Sequence, residues 1–188
     1  MRILPVVDSS SYSDMATKML EALRPPRTEI TVLTMVPEHT FLGGITLGKL
    51  KGVSVAKEAQ QQKALELLQG PVQALNAMQL KVHSLVRWGN PAEQILKVTA
   101  ESAALLIVMG AKGLTDPLAF RLGGVAQTVM KHAKASVLLV RETTTIATIE
   151  VPSRKRTGIN RVLLATDGSK YSQTVTQFLI DLPLPRQC

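Results

Sequence analysis

The stretch from Leu105 to Arg141 narrows the possible folds more than any other part of the chain. Leu105–Met109 is a short apolar run closed by Gly110, the pattern of a strand buried on both faces of a parallel sheet. Gly110 and Gly113 open a loop, Gly123–Gly124 stand where a helical spacing begins (Val125, Val129, Met130, Ala133), and Ser136–Val140 is a second buried strand. Strand, glycine-rich loop, helix and strand make one βαβ unit. Glycines leave the backbone open to close approach, and a helix N-terminus presents N–H groups without partners. The loop therefore has the chemistry of a phosphate cradle.

The same alternation fills the chain upstream. Arg2–Val7 reads as a buried strand stopping at Asp8, and Pro5 should disturb its ladder because it has no N–H to donate. Ser9–Ser11 offer caps to a helix whose apolar face is Met15, Met19, Leu20 and Leu23, ended by Pro25 and Pro26. Ile30–Val36 is the second strand. His39–Ser54, with four glycines and no clean period, reads as a loop. From Val55 to Met78 the spacing of Leu65, Leu68, Val72, Leu75 and Met78 is helical, with Gly70-Pro71 expected to kink or break it. Leu80–Arg87 is the third strand. Asn90 as cap, Pro91 in the first turn and Glu93 facing the helix dipole then start a helix running to about Ala103. The order is β-α-β-α-β-α-β-α-β. Right-handed crossovers turn it into an α/β, three-layer, doubly wound parallel sheet covered on both faces.

A net charge of +8 suggests nucleic acid until it is divided along the chain. Residues 1–150 carry 16 basic and 12 acidic side chains, whereas residues 151–188 carry 6 and 2, so each part contributes +4. Half of the charge thus lies in a fifth of the chain, mostly in Arg154, Lys155 and Arg156. A short basic run of this kind is usually a solvated linker, and aromatic residues at 3% leave little to stack on bases. The single cysteine, Cys188, rules out a disulfide framework, and no apolar run approaches the ~20 residues of a membrane span. Met1–Val7 is too short for a signal peptide, so the expected location is cytoplasmic.

Beyond Arg141 the Thr-rich and basic segment 143–159 reads as a linker, and then the opening recurs. Residues 161–172 align with residues 2–13 at a constant offset of 159, with identities at Arg2/Arg161, Leu4/Leu163, Asp8/Asp167, Ser10/Ser169, Tyr12/Tyr171 and Ser13/Ser172. Thr17/Thr176, Leu20/Leu179, Leu23/Leu182 and Pro26/Pro185 extend the match to ten identities. Duplication explains this better than convergence. The expected organisation is a domain over 1–142, the linker, and over 160–188 the truncated start of a second copy. One strand and one helix cannot make a core alone, so this piece should hang loosely or borrow a sheet edge.

Together these residues resemble the universal stress protein family. The resemblance lies in Asp8 and Ser10 after the first strand, the Gly89-x-Pro91-x-x-x-Ile95 helix start, and Gly110-x2-Gly113-x9-Gly123 between two strands. His132-Ala133 and the closing strand Val137–Arg141 complete it. The resemblance implies a Rossmann-like sheet in the order 3-2-1-4-5, of the adenine nucleotide alpha hydrolase type. Its ligand site would be the switch point between strands 1 and 4. In nucleotide-binding members that site holds ATP. Carried over, Asp8 would contact the ribose hydroxyls, with Val7 beside it among the binding residues, and Met35 would offer backbone groups to adenine. Met109, Gly110 and Gly113 would line the ribose and phosphate loop, and Gly123, Gly124, Val125 and Ala126 would present N–H groups to phosphate. Asp8 as a mere helix cap and Met35 as a core residue are the alternative readings.

The chain departs from the family pattern at three places. Gly124 stands where Ser or Thr is usual, Ala126 replaces another hydroxyl residue, and Ser9 replaces a glycine. A neutral hydrogen bond is worth roughly 0.5–1.5 kcal/mol net, so two lost hydroxyls weaken phosphate binding by about tenfold or more. Lys112 and Arg121 are the cations placed to compensate. The cofactor expectation is therefore weakly bound ATP or AMP, with Mg2+ accompanying ATP alone.

Nothing in the sequence argues for catalysis. It has no Walker lysine, no nucleophile elbow and no carboxylate to pair with Asp8, and His39, His83 and His132 lack metal-ligand spacing. His132 instead suits the end of a helix, and slow ATP hydrolysis would be incidental. Three readings follow in order: a stress-response nucleotide-binding module, a ligand-free adaptor that dimerises or pairs with a second domain through strand 136–140, and a nucleic-acid binder using Arg154–Arg156.

Overall fold

The computed structural model describes residues 1–23, 28–37, 51–112, 122–141 and 162–182. In chain order the elements are β1 (Arg2–Pro5), α1 (Ser11–Leu23), β2 (Glu29–Val36), α2 (Lys51–Asn76), β3 (Lys81–Trp88) and α3 (Pro91–Glu101). They continue with β4 (Leu106–Gly110), α4 (Gly124–His132), β5 (Ser136–Val140) and α5 (Lys170–Asp181). The five strands are all parallel, in the order β3-β2-β1-β4-β5.

Alternating side chains build a separate core on each face of the sheet. Ile3, Ile30, Val32, Leu106 and Val108 pack with Ala16 and Leu20 of α1 and Leu68 and Leu75 of α2. Leu4, Leu33, Ile107 and Met109 face the other way, against Ile95 and Val98 of α3 and Ala126 and Val129 of α4. The helices that carry the chain from β1 to β3 thus lie on one side, and those that carry it to β5 on the other. That is what right-handed crossovers require when the direction of strand addition reverses. Burying a side chain such as Leu20 or Ile95 contributes about 1.5–3 kcal/mol, so the faces, more than local propensity, fix the fold.

Pro5 leaves the expected mark. Val6 donates its N–H to the Val108 carbonyl at 2.8 Å and Val7 to that of Leu33 at 2.8 Å, so alternate amides point to β4 and to β2. The missing N–H of Pro5 falls on the β2 side. There the ladder stops after Ile3↔Ile30 and resumes as a lone bridge at Val6↔Leu33, whereas pairing with β4 continues through Pro5↔Val108.

The helices differ from expectation in two respects. α2 begins at Lys51 rather than Val55 and stays helical through Pro71. Leu68 and Leu75 anchor it on both sides of the proline, and packing of this kind outweighs the roughly 3 kcal/mol cost of an interior proline. Met130, expected on the apolar face of α4, is half exposed, while Ala126 and Val129 are buried. α3 starts as expected, with Asn90 Oδ1 accepting the N–H groups of Ala92 (3.0 Å) and Glu93 (3.3 Å).

Candidate functional site

β1 and β4 are neighbours whose following connections leave toward opposite faces, and a crevice must open at their carboxyl ends. A cavity of about 370 Å³ lies there. Val6, Val7 and Asp8 enter it from the end of β1, Thr34 and Met35 from β2, and Met109 and Gly110 from β4. Gly123–Ala126, Lys112, Leu67 of α2, Ser9 and Ser13, and Pro37 and Pro91 complete the wall. The volume falls in the range of small-molecule sites, roughly 300–1,000 Å³, as does the mixture of apolar walls with few polar groups.

Asp8 is half-buried, and its turn is organised around one carboxylate oxygen. Oδ1 accepts the Ser10 N–H at 3.0 Å, the Ser10 hydroxyl, and the Ser13 hydroxyl at 2.6 Å. Ser13, itself buried, accepts the Asp8 N–H at 2.7 Å. Asp8 therefore does order the entry to α1, but none of these three donors reaches Oδ2. A carboxylate held at one oxygen and left with the other is equipped to accept from a ligand hydroxyl.

The first turn of α4 lines the same cavity. The first intrahelical bond runs from the Gln127 N–H to the Gly123 carbonyl (2.9 Å), so the amides of Gly124, Val125 and Ala126 have no acceptor within the helix. Gly123, the residue before the helix, supplies no side-chain cap. Gly123 is itself tied to the end of β4, donating to the Ala111 carbonyl at 2.9 Å. A Cβ placed on Gly124 would meet nothing within 4 Å. Gly110 is different: a Cβ there would lie 2.6 Å from Tyr12 Cβ, so close packing of α1 on β4 demands this glycine.

Of the site residues expected from the sequence, Val7, Asp8, Met35, Met109, Gly110, Gly123, Gly124, Val125 and Ala126 all line this one cavity. Lys112 lines it too; Gly113 and Arg121 lie outside the described residues. Sequence reasoning missed Val6, Ser13, Thr34, Pro37 and Leu67, and it read Pro91 only as a helix start. Thr34 was open to discovery, since it ends the same strand as Met35. Leu67 was not, because the rotation of α2 over the sheet end is set by packing.

One ionisable cluster lies at the far end of the sheet. There Lys81, with His83, holds the Glu29 carboxyl below its usual range, through a 2.9 Å bond from Lys81 Nζ to Oε1. Among the described residues no three His, Cys, Asp or Glu side chains are placed to hold a metal ion. No described helix is long and apolar enough to cross a membrane.

This sheet order, with an acid after β1 and a glycine-lined helix start after β4, defines a doubly wound α/β protein with a cavity at its switch point. Residues 1–141 match the model of the universal stress protein family, and the chain belongs to that family. A universal stress protein of Methanocaldococcus jannaschii is 26% identical over 140 residues, covering 74% of this chain and 81% of that one. Among solved structures, one universal stress protein of Archaeoglobus fulgidus superposes with a TM-score of 0.69 at 22% identity, over 96% of this chain and 62% of its own. A universal stress protein in complex with cAMP superposes with a TM-score of 0.58 at 17% identity, over 76% and 98%. A family member from Arabidopsis thaliana with AMP bound gives 0.56 at 14%, over 77% and 93%.

Proposed function

We propose that this chain is a stress-response binding module that takes up an adenine nucleotide, AMP or ATP, in the cavity between β1 and β4. The observation that carries the reading is that Asp8 and the open first turn of α4 line one mononucleotide-sized space. Oδ2 of Asp8 accepts from the ribose, backbone groups at Met35 meet the purine, and the amides of Gly124–Ala126 meet phosphate. Structural relatives with cAMP and AMP support the ligand class. Binding is weak because no hydroxyl is offered at Gly124 or Ala126, and Mg2+ arrives only with ATP. The role is ligand-dependent partner recognition in the cytoplasm, without catalysis. Mass spectrometry of small molecules released from the purified protein, with thermal melting in AMP and ATP, tests this. Retained adenine nucleotide or a raised melting temperature is expected; no shift at millimolar nucleotide overturns it.

A second reading rests on the sheet edges. The β3 edge carries Lys81 and Arg87, charges that discourage strand pairing, whereas β5 is uncharged and presents half-buried Val137, Leu138 and Leu139. Self-association through β5 then serves an adaptor role with or without nucleotide, and light scattering showing a monomer opposes it. Residues 160–188 we read as the opening of a second copy of the domain, joined by the linker 143–159. The nucleic-acid reading rests on Arg154–Arg156, which lie outside the described residues. It requires salt-sensitive DNA retention that disappears with residues 151–188.

A further inference from the structure

The second opening holds a strand's worth of sequence without a sheet. Residues 162–166 are the counterparts of residues 3–7, yet they pair with no described strand. Among the described residues, five of the nine exposed large apolar side chains fall within 162–182, led by Leu163 at 94%. The apolar contact surface of the chain is thus gathered in this short piece. The helix that follows, α5, lays Phe178 against the core on the α1 side of the sheet. The segment is therefore tethered by its own chain without being covered by it.

The sheet, in turn, has an edge open to one more strand. β5 pairs with β4 alone. Ser136 donates its N–H to the Leu105 carbonyl at 3.1 Å, and the Val140 carbonyl accepts from Ala111 at 2.8 Å, so these residues turn inward. By alternation the N–H and C=O groups of Val137 and Leu139 turn outward, and among the described residues they have no backbone partner. β5 spans five residues, Ser136–Val140, with no charge, and residues 162–166 match it in length and in lacking charge.

Resting on the reading of β5 as an association edge, we propose that the occupant of this edge is the 162–166 segment of a second copy of the chain. Within its own chain the segment is seated through α5 and left unpaired, so the strand that reaches β5 comes from the other copy. Each chain carries one donor strand and one open edge. Two copies therefore exchange strands reciprocally, and the assembly closes as a symmetric dimer. The outward groups of Val137 and Leu139 gain backbone partners, and Leu163 leaves water. Pairing of β5 with a second β5 would satisfy the edge but leave both exposed segments in solvent.

Light scattering over a concentration series, with amide hydrogen exchange, tests this on the full chain, Leu163→Pro and Leu163→Lys. The wild type is expected to dimerise as concentration rises, with exchange at Val137 and Leu139 slowed in the dimer and faster on dilution. Proline removes a donor N–H and lysine places a charge on the added strand, so each should weaken the dimer at least about tenfold. Both changes fall on an exposed, unpaired residue, so circular dichroism should stay that of the wild type. Undiminished dimerisation in both variants, with Val137 and Leu139 still protected, means that β5 meets another β5. That result overturns the donor strand and leaves the association edge standing. A wild type that stays monomeric at every concentration overturns both.

Discussion

The chain has two similar openings, identical at six of the twelve positions that follow Met1 and Asn160, and they have different fates. In the first, β1 is inserted between β2 and β4, and Leu4, Ala16 and Leu20 are fully buried. In the second, residues 162–167 form no strand, Leu163 is 94% exposed, and Val162, Leu164 and Val175 are also open to solvent. Yet the local structure is shared. α5 begins at the same position of the repeat as α1. Asp167 Oδ1 accepts the Ser169 N–H at 2.9 Å, as Asp8 Oδ1 accepts that of Ser10 at 3.0 Å. The acid-serine turn and the helix are therefore encoded within some 20 residues. The strand pairing, and the cavity that Asp8 lines, are supplied by neighbours far along the chain.

The strongest way to break this comparison is to truncate matched leucines. Leu20→Ala should destabilise the protein by about 2–5 kcal/mol, the usual cost of a large-to-small change in a packed core. Leu179→Ala, at the half-buried counterpart, should cost well under about 1 kcal/mol. Urea denaturation of both variants measures the difference, and similar losses would mean that α5 is packed as firmly as α1.

A somewhat smaller effect separates the two acids. Asp8→Asn should weaken AMP binding by roughly 10- to 100-fold, since a hydrogen bond to a charged group is worth about 1.5–3 kcal/mol. Asp167→Asn should leave AMP affinity where it was. Equal effects in equilibrium dialysis would show that the second opening takes part in the site.

Restoring a lost donor should act more gently. Space around Gly124 is open, so Gly124→Ser adds a hydroxyl without a clash and should tighten AMP binding about two- to tenfold. Gly124→Ala separates this from improved helix propensity, which both substitutions share.

The smallest effect concerns pH. Bonds from the Ser169 side chain, then from its backbone, and then from Ser172 hold the Asp167 carboxyl below its usual range. Because the folded value is the lower one, the turn is favoured above the unfolded value, and the advantage fades as pH falls through the depressed one. The carboxyl resonance of Asp167 should accordingly titrate at lower pH than in an unfolded peptide, and Ser169→Ala should move it back up.

Much of the fold was legible because its signals were local. The apolar run ending at Gly110, the Asn90-Pro91 helix start and the gap opposite Pro5 follow from the residues at those positions. The start of α2 at Lys51 was not legible, because a glycine at Gly52 reads as loop although one such residue costs only about 1 kcal/mol within a long helix. In the site, the residues after β1 and β4 were recognisable from sequence. The burial of Lys112 and the closeness of Tyr12 to Gly110 were not, since both depend on how α1 and α4 settle on the sheet.

The central proposal is that the first opening forms half of a binding site and the similar second one does not. An amide NMR titration of the full chain with AMP addresses it directly. The account predicts saturable shifts at Asp8, Met35, Gly110 and Gly123–Ala126, with Gly168–Ser172 unmoved. Shifts centred on Gly168–Ser172, or none at saturating AMP, would contradict it.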